Sequence, residues 1–427
     1  MRPPITMTND WKTEKSDSRR RSQTPSQGPG AVSPEVAEEL LGGPTEVTSL
    51  VMADGVLFYA TAGGWLYAFD VASGDAVWSQ SAADLTHDHS RGGPWLCVVG
   101  EFLVVGGTSI AVYRTADGTM TNQFEAPPTP DGDSGINTLS TDVWKPTAVD
   151  SNSIIATRQG VARLYSLDGT EHWEYSIDDG RFCHPSADSE RVYLLQRQVV
   201  GAAPEPIVDG IVHALTLSGE RVWDVDIHGH VDRFNDASAP VVGDTGVFIA
   251  QEASSGSPTG DGLTRIDKHT GVIDWQRDGE YHIALGPNTL YATDTYKDHI
   301  LALDSETGDV NWSQDIDRHP DSPTVSATST TVAGDRLYTY VGQQLCVVDT
   351  ASGDVIDTRT FSTFEPVRHI VGNHALFIGT ADGYVVKLGG ADAVTDSPDK
   401  FCTVCGNNLE EYTDPKYCPQ CGHSLVE

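Results

Sequence analysis

The segment Leu66–Trp78, LYAFDVASGDAVW, recurs along the chain, and a repeat of this length restricts the fold to side-by-side copies of one small unit. Ile300–Trp312, ILALDSETGDVNW, is nearly the same segment again, and Leu164–Trp173, Val212–Trp223, Leu263–Trp275 and Leu345–Asp357 follow the same grammar. In LYAFD, apolar residues alternate with small or polar ones, and β-branched and aromatic types are common across the copies, which is strand chemistry. Leu66, Ala68 and Asp70 share one face, and Tyr67 and Phe69 the other. Both faces are mostly apolar, so the strand is expected to be buried on both sides. Asp70 can accept hydrogen bonds from backbone amides a few residues on, and Gly74 tolerates a positive φ, so a tight turn follows. Ala76-Val77-Trp78 then opens the partner strand, with an indole sized to fill the gap between two stacked sheets.

Upstream of each copy lies a second strand pair: Val47–Ala53 and Val56–Ala60 around the Asp54-Gly55 turn, or His282–Leu285 and Thr289–Thr293 around 286–288. One unit is therefore four antiparallel strands over about 40 to 50 residues, the size of a propeller blade. Eight units follow one another: Thr45–Ser81, Trp95–Ala126, Trp144–Asp178, His184–His228, Ser238–Arg277, His282–Asp317, Thr324–Phe361 and Val367–Gly390. Five of the nine tryptophans, Trp78, Trp173, Trp223, Trp275 and Trp312, fall on the motif position, which Asn122 and Asp357 occupy in units two and seven. The expected fold is an all-β, eight-bladed propeller over residues 31–392, with seven blades as the alternative. Unit eight supplies only three strands, so Ala391–Val394 or a strand near the N-terminus is expected to complete it. Pro34–Leu41, PEVAEELL, reads as a short helix ahead of the first blade.

Acidic residues number 61 against 27 Lys and Arg, for a net charge of −34 and a pI near 4.5. A uniformly acidic, Lys-poor surface suits a protein that stays hydrated in concentrated salt, so the chain reads as halophilic and cytoplasmic. The same charge repels phosphate backbones and argues against nucleic acid as a partner of the body. Residues 1–30 are polar, contain Pro and Ser, and lack periodicity, so they read as a disordered tail. The tail is net positive; folding back on the propeller and touching nucleic acid are the other accounts. Arg19–Arg21 hints at a twin-arginine signal, but SQTPSQGPG follows where an apolar stretch would be required. No run of about 18 apolar residues occurs, so no transmembrane helix is expected.

After an acidic linker, 393–400, the segment 401–427 reads C-x2-C, twelve residues, C-x2-C. Cys402, Cys405, Cys418 and Cys421 can place four thiolates around one tetrahedral Zn²⁺, and Gly406 and Gly422 permit the tight turns. A segment this short holds no core without metal, so zinc binding would be most of its folding free energy. Iron with the same ligands is the alternative metal. Four cysteine ligands leave no open position, which makes the expected role structural. Cys97 and Cys346 sit within apolar strands as small core residues. Cys183 precedes His184, but strand neighbours point to opposite faces, so the two would not form a nucleophile–base pair.

The blade linkers and inner-strand starts concentrate basic side chains. Eight of the fourteen histidines lie there, His87, His89, His184, His228, His230, His282, His319 and His369, with Arg91, Lys145, Arg181, Arg233, Arg318 and Arg368. The long insertions, Gln196–Gly210, Gln251–Gly262, Ser79–Pro94 and Glu125–Val143, belong to the same face of the ring. Inner strands start near the axis, so these side chains are candidates to ring a central funnel that takes an anionic small molecule, an acidic peptide or a metal. The alternative is that they bond neighbouring Asp and backbone groups at blade junctions.

Repeats of the form LYALDxxTGxxxW resemble the PQQ-type, quinoprotein-like propeller repeat, found in quinoprotein alcohol dehydrogenases and in the outer-membrane assembly lipoprotein of the β-barrel machinery. The resemblance covers roughly residues 45–390. The C-terminal segment resembles the zinc ribbon that tails many archaeal and bacterial proteins, and the whole is of haloarchaeal type. The resemblance implies the fold; for function it admits both enzymes and scaffolds. Family enzymes usually carry a vicinal Cys-Cys pair, an Asp base and a Ca²⁺ site of Glu, Asn and Asp. This chain has no adjacent cysteines, which weighs against PQQ as a cofactor. It also has no nucleophile elbow, Walker loop or HExxH. The reading is a non-catalytic scaffold that binds a protein or a small anion on its loop-rich face. A PQQ-dependent oxidoreductase is one alternative. A nucleic-acid-associated zinc-ribbon factor is the other, although the ribbon offers only Lys416 and His423 as cations against Glu410, Glu411 and Asp414.

Overall fold

The computed structural model describes residues 20, 23–24, 28–29, 37–40, 45–86, 93–124, 143–200, 207–227, 239–250, 262–294, 297–317, 330–341, 344–361, 366–372 and 374–389. Eight sheets, antiparallel throughout except for one short parallel strand, form the described fold, with turns between their strands. Blade one is Val47–Ala53, Val56–Thr61, Trp65–Asp70 and Ala76–Ser81. The middle strands bury nearly every residue, whereas outer strands such as Val310–Asp315 alternate exposed and half-buried positions. That contrast follows from a ring in which each middle strand has a blade on both sides.

The core is divided into eight apolar clusters, one at each blade junction. One of them packs Leu50, Leu57, Tyr59 and Phe69 of blade one against Ile370, Phe377 and Val385 of blade eight, which closes the circle. The expected count of eight blades is correct.

Seven of the eight junctions share one device. The motif indoles donate Nε1–H to a backbone carbonyl in the turn of the next blade: Trp78 to Thr115 (2.8 Å), Trp173 to Leu217 (3.0 Å), Trp223 to Lys268 (3.0 Å), Trp275 to Glu306 (3.1 Å) and Trp312 to Thr350 (2.9 Å). In blade two, Asn122 makes the same bond through Nδ2 to Leu167 O at 3.2 Å. At the eighth junction, Lys387 Nζ reaches Val71 O, the matching carbonyl of blade one, at 3.3 Å. The receiving turns are built as the sequence implies. Asp70 Oδ1 accepts the amides of Ala72 and Ser73 at 3.0 and 2.8 Å, and Asp304 and Asp349 repeat the pattern. These amides hold the three carboxyls below the usual range.

Two expectations are corrected. Where a short helix is expected over Pro34–Leu41, the described residues Ala37–Leu40 are a strand, antiparallel to Val385–Gly389, and form the outer strand of blade eight. The outer edge of Val385–Gly389 needs a backbone partner, and that requirement outweighs the helix propensity of AEEL. Of the two candidate closures, the N-terminal strand is the one formed; Ala391–Val394 lies outside the described residues. The insertion Gln196–Gly210 is not simply a loop, because Arg191–Val200 and Ile207–Thr216 remain paired as far as Val200 opposite Ile207. Blade four thus carries a hairpin longer than that of blade three.

Candidate functional site

The innermost strand is the edge of every described sheet except that of blade seven. There Gln23–Thr24 pairs parallel to Thr330–Ala333, with Gln23 opposite Val332 and Thr24 opposite Ala333. Part of the stretch read as a tail therefore lies inside the ring. Arg20 is 1 % exposed. Its Nε donates to Pro185 O at 3.0 Å, and its Nη2 to Thr147 Oγ1 at 3.0 Å and to His184 Nδ1 at 3.1 Å. A guanidinium only donates, so His184 accepts at Nδ1 and carries its proton at Nε2. Thr147 also donates to Pro185 O at 3.0 Å, which joins blades three and four beneath the guanidinium.

The funnel candidates distribute as follows. His184 is buried, and its ring meets Trp95 edge-on with centroids 4.4 Å apart. Arg368, on the inner strand of blade eight, lies over the same indole, with Cζ 4.8 Å from the Trp95 ring. Arg368, Trp95, His184 and Arg20 thus form one continuous row from blade eight through blades two and four to the N-terminal segment. Burial lowers the Arg368 guanidinium to about 10, so it remains a cation at neutral pH. Lys145, buried at the start of the inner strand of blade three, is two residues from Thr147. Arg181 and His282 stand at the inner-strand starts of blades four and six.

His369 departs from the expected titratable ring. It is buried against Tyr340, 5.3 Å between centroids, and burial pushes its imidazole down to about 3. It contributes no positive charge at neutral pH. His87, His89, Arg91, His228, His230, Arg233, Arg318 and His319 lie outside the described residues, as do Cys402, Cys405, Cys418 and Cys421.

The Cys183–His184 pair is split as alternation requires. Cys183 packs in the core between blades four and five, while His184 turns to Arg20 and Trp95. Cys97 and Cys346 are buried and their thiols are pushed up to about 12 by burial, which suits inert core residues. Arg20 is the interior residue that sequence reasoning missed. Its only signal was a cationic run in an acidic chain. A second buried polar group went unread: His213 lies 2.8 Å from Gln196 Oε1 and 3.2 Å from Tyr175 OH, at about 4 through burial. Among the described residues, no helix is long and apolar enough to cross a membrane.

The fold is shared with solved structures at low identity. The computationally designed Ika8 protein aligns with a TM-score of 0.60 at 14% identity, over 82% of this chain and 98% of its own. BamB from Moraxella catarrhalis aligns with a TM-score of 0.55 at 15% identity, over 83% and 98%. Quinohemoprotein alcohol dehydrogenase from Comamonas testosteroni aligns with a TM-score of 0.61 at 12% identity, over 91% and 81%. No curated protein matches the chain significantly. The PQQ_2 family model, described as outer membrane protein assembly factor BamB, matches residues 131–278 and 208–375. These matches together span more than half of the 427 residues, and the chain belongs to that family of propeller repeat proteins.

Proposed function

We propose that the chain is a non-catalytic β-propeller scaffold that binds a protein partner, or a small anionic ligand, through its loop-rich face. The observation that carries this reading is the backbone pairing of Gln23–Thr24 with Thr330–Ala333. The ring holds an extended polypeptide along its axis, in the manner of strand addition to an exposed sheet edge. Arg368, Lys145 and the Arg20–His184 pair supply a cationic centre on an acidic body, which favours an acidic partner at the mouth. The C-terminal C-x2-C pair of knuckles is read as a structural zinc ribbon that offers a second contact surface, and the whole as a halophilic, cytoplasmic protein. Nucleic acid is not assigned as a partner, because the body carries a net charge of −34.

A quinone-dependent oxidoreductase is the competing reading, supported by the fold similarity to quinohemoprotein alcohol dehydrogenase. The lack of adjacent cysteines and the occupation of the axis by Arg20, Gln23 and Thr24 favour the scaffold.

The discriminating experiment is affinity capture from native cells in high KCl with three baits. These are the full chain, the chain ending at residue 392, and the full chain carrying Lys145→Ala and Arg368→Ala. The scaffold reading expects a discrete partner on the first two baits and its loss on the third. Absence of a partner on all three, with stoichiometric quinone binding and dye reduction by the purified chain, would replace it by the oxidoreductase.

A further inference from the structure

The described part of the N-terminal stretch is held as a bound peptide is held, at three separate places. Arg20 is clamped between blades three and four by Thr147, Pro185 and His184. It is held there at φ +55°, a conformation that an unrestrained arginine rarely adopts. Gln23 and Thr24 add a parallel strand to blade seven, and the Gly334 amide reaches Thr24 O at 3.4 Å. Tyr338 OH then donates to Pro29 O at 2.7 Å. At Gly28 a Cβ would lie 2.3 Å from that same hydroxyl, and at Gly389 a Cβ would lie 2.6 Å from Pro29, so each side of this contact has room only for glycine. The described anchors Arg20, Gln23–Thr24 and Gly28–Pro29 meet blades three, four, seven and eight, which stand on opposite sides of the ring. The strand that closes the ring, Ala37–Leu40, is a separate contact further along the chain.

We propose that the central channel is a recognition groove for an extended, arginine-bearing polypeptide, and that the N-terminal stretch, through Arg20, Gln23–Thr24 and Gly28–Pro29, is its tethered occupant. The inference rests on the scaffold reading only for the competitor it implies, an extended segment of an otherwise acidic partner protein that places one arginine where Arg20 sits. Tethering supplies an effective concentration in the millimolar range, so an ordinary peptide added to the intact chain does not enter. A partner that also holds the loop-rich face meets that barrier with a second contact, and its arrival releases the N-terminal arm. The device makes occupancy of the axis conditional on recognition at the rim.

The test uses the full chain with a protease-recognition sequence in place of residues 31–35, cut after purification. The N-terminal fragment is expected to co-elute with the ring on gel filtration. A synthetic peptide of residues 16–30 is expected to displace it, and the same peptide with Arg20→Ala to require at least about tenfold more, as loss of hydrogen bonds from a charged donor implies. The cut chain carrying Gly28→Val is expected to shed the fragment while keeping the circular dichroism of the intact ring. Release of the wild-type fragment on cutting, or equal displacement by both peptides, overturns the proposal. Neither result depends on cellular capture, so failure of the scaffold reading and failure of the tethered occupant are read separately.

Discussion

A glycine and an indole meet at five of the eight blade junctions. Gly353 lies at φ +80° with its absent Cβ 2.7 Å from the Trp312 ring, and Gly308 stands in the same relation to Trp275 at 2.8 Å. Gly55 has a similar φ of +76°, but nothing lies within 4 Å of its Cβ position. Alanine at both sites carries the left-handed strain of about 1 to 2 kcal/mol. Only Gly353→Ala adds an overpacking cost of about 1 to 3 kcal/mol by pushing against the indole. Urea denaturation is expected to rank Gly353→Ala well below Gly55→Ala. Equal midpoints would mean that the indole yields and that the turn alone requires glycine. This layer was legible in the sequence, because the Trp and Gly positions recur at fixed spacing. Asn122 stands on the motif position without an indole, and its equivalence to Trp lies in the carbonyl that it reaches, not in its size.

At the scale of the element, blades four and five are joined by a buried ion pair as well as by Trp223. Lys268 Nζ is 3.0 Å from Asp188 Oδ2, with both side chains at most 9 % exposed. Burial alone would raise the Asp188 carboxyl; the Glu190 amide, Lys268 and the Arg191 amide outweigh it and hold the carboxyl below its usual value. Asp188→Asn leaves the ammonium buried without its counter-ion and is expected to cost about 3 kcal/mol. A carboxylate whose folded pKa is depressed stabilises above its unfolded value near 3.9 and loses that contribution as pH falls through the folded value. The gap between wild type and Asp188→Asn should therefore be constant from neutral pH down to about pH 5 and narrow below about pH 4. A gap that widens in acid would show that the pair does not stabilise the junction. Strand order within blades was readable from alternation, whereas Ala37–Leu40 was not. Its four residues carry helix-forming side chains, and only the open edge of a strand some 345 residues later makes them extended. Long-range pairing of this kind leaves no local periodicity.

The molecule as a whole is a ring whose first residues finish what its last residues begin. With a net charge of −34 its blades repel one another, and screening by KCl is expected to raise the thermal midpoint steadily. A midpoint indifferent to salt would assign little weight to that repulsion. The candidate site was half legible. Lys145, His184 and Arg368 were placed at the centre by their position at inner-strand starts, which chain direction alone dictates. That His369 is neutral follows from its burial beside Tyr340, and that Arg20 is interior follows from contacts with distant blades; neither has a signature in nearby residues.

The N-terminal stretch is both the clasp and the occupant of the ring, and hydrogen–deuterium exchange on the full chain tests that claim most directly. Peptides covering 20–29 and 37–40 are expected to exchange over minutes to hours, alongside inner and middle blade strands such as Thr330–Ala333 and Val385–Gly389. Complete exchange of both peptides in the first seconds, with the blades still protected, would contradict the account.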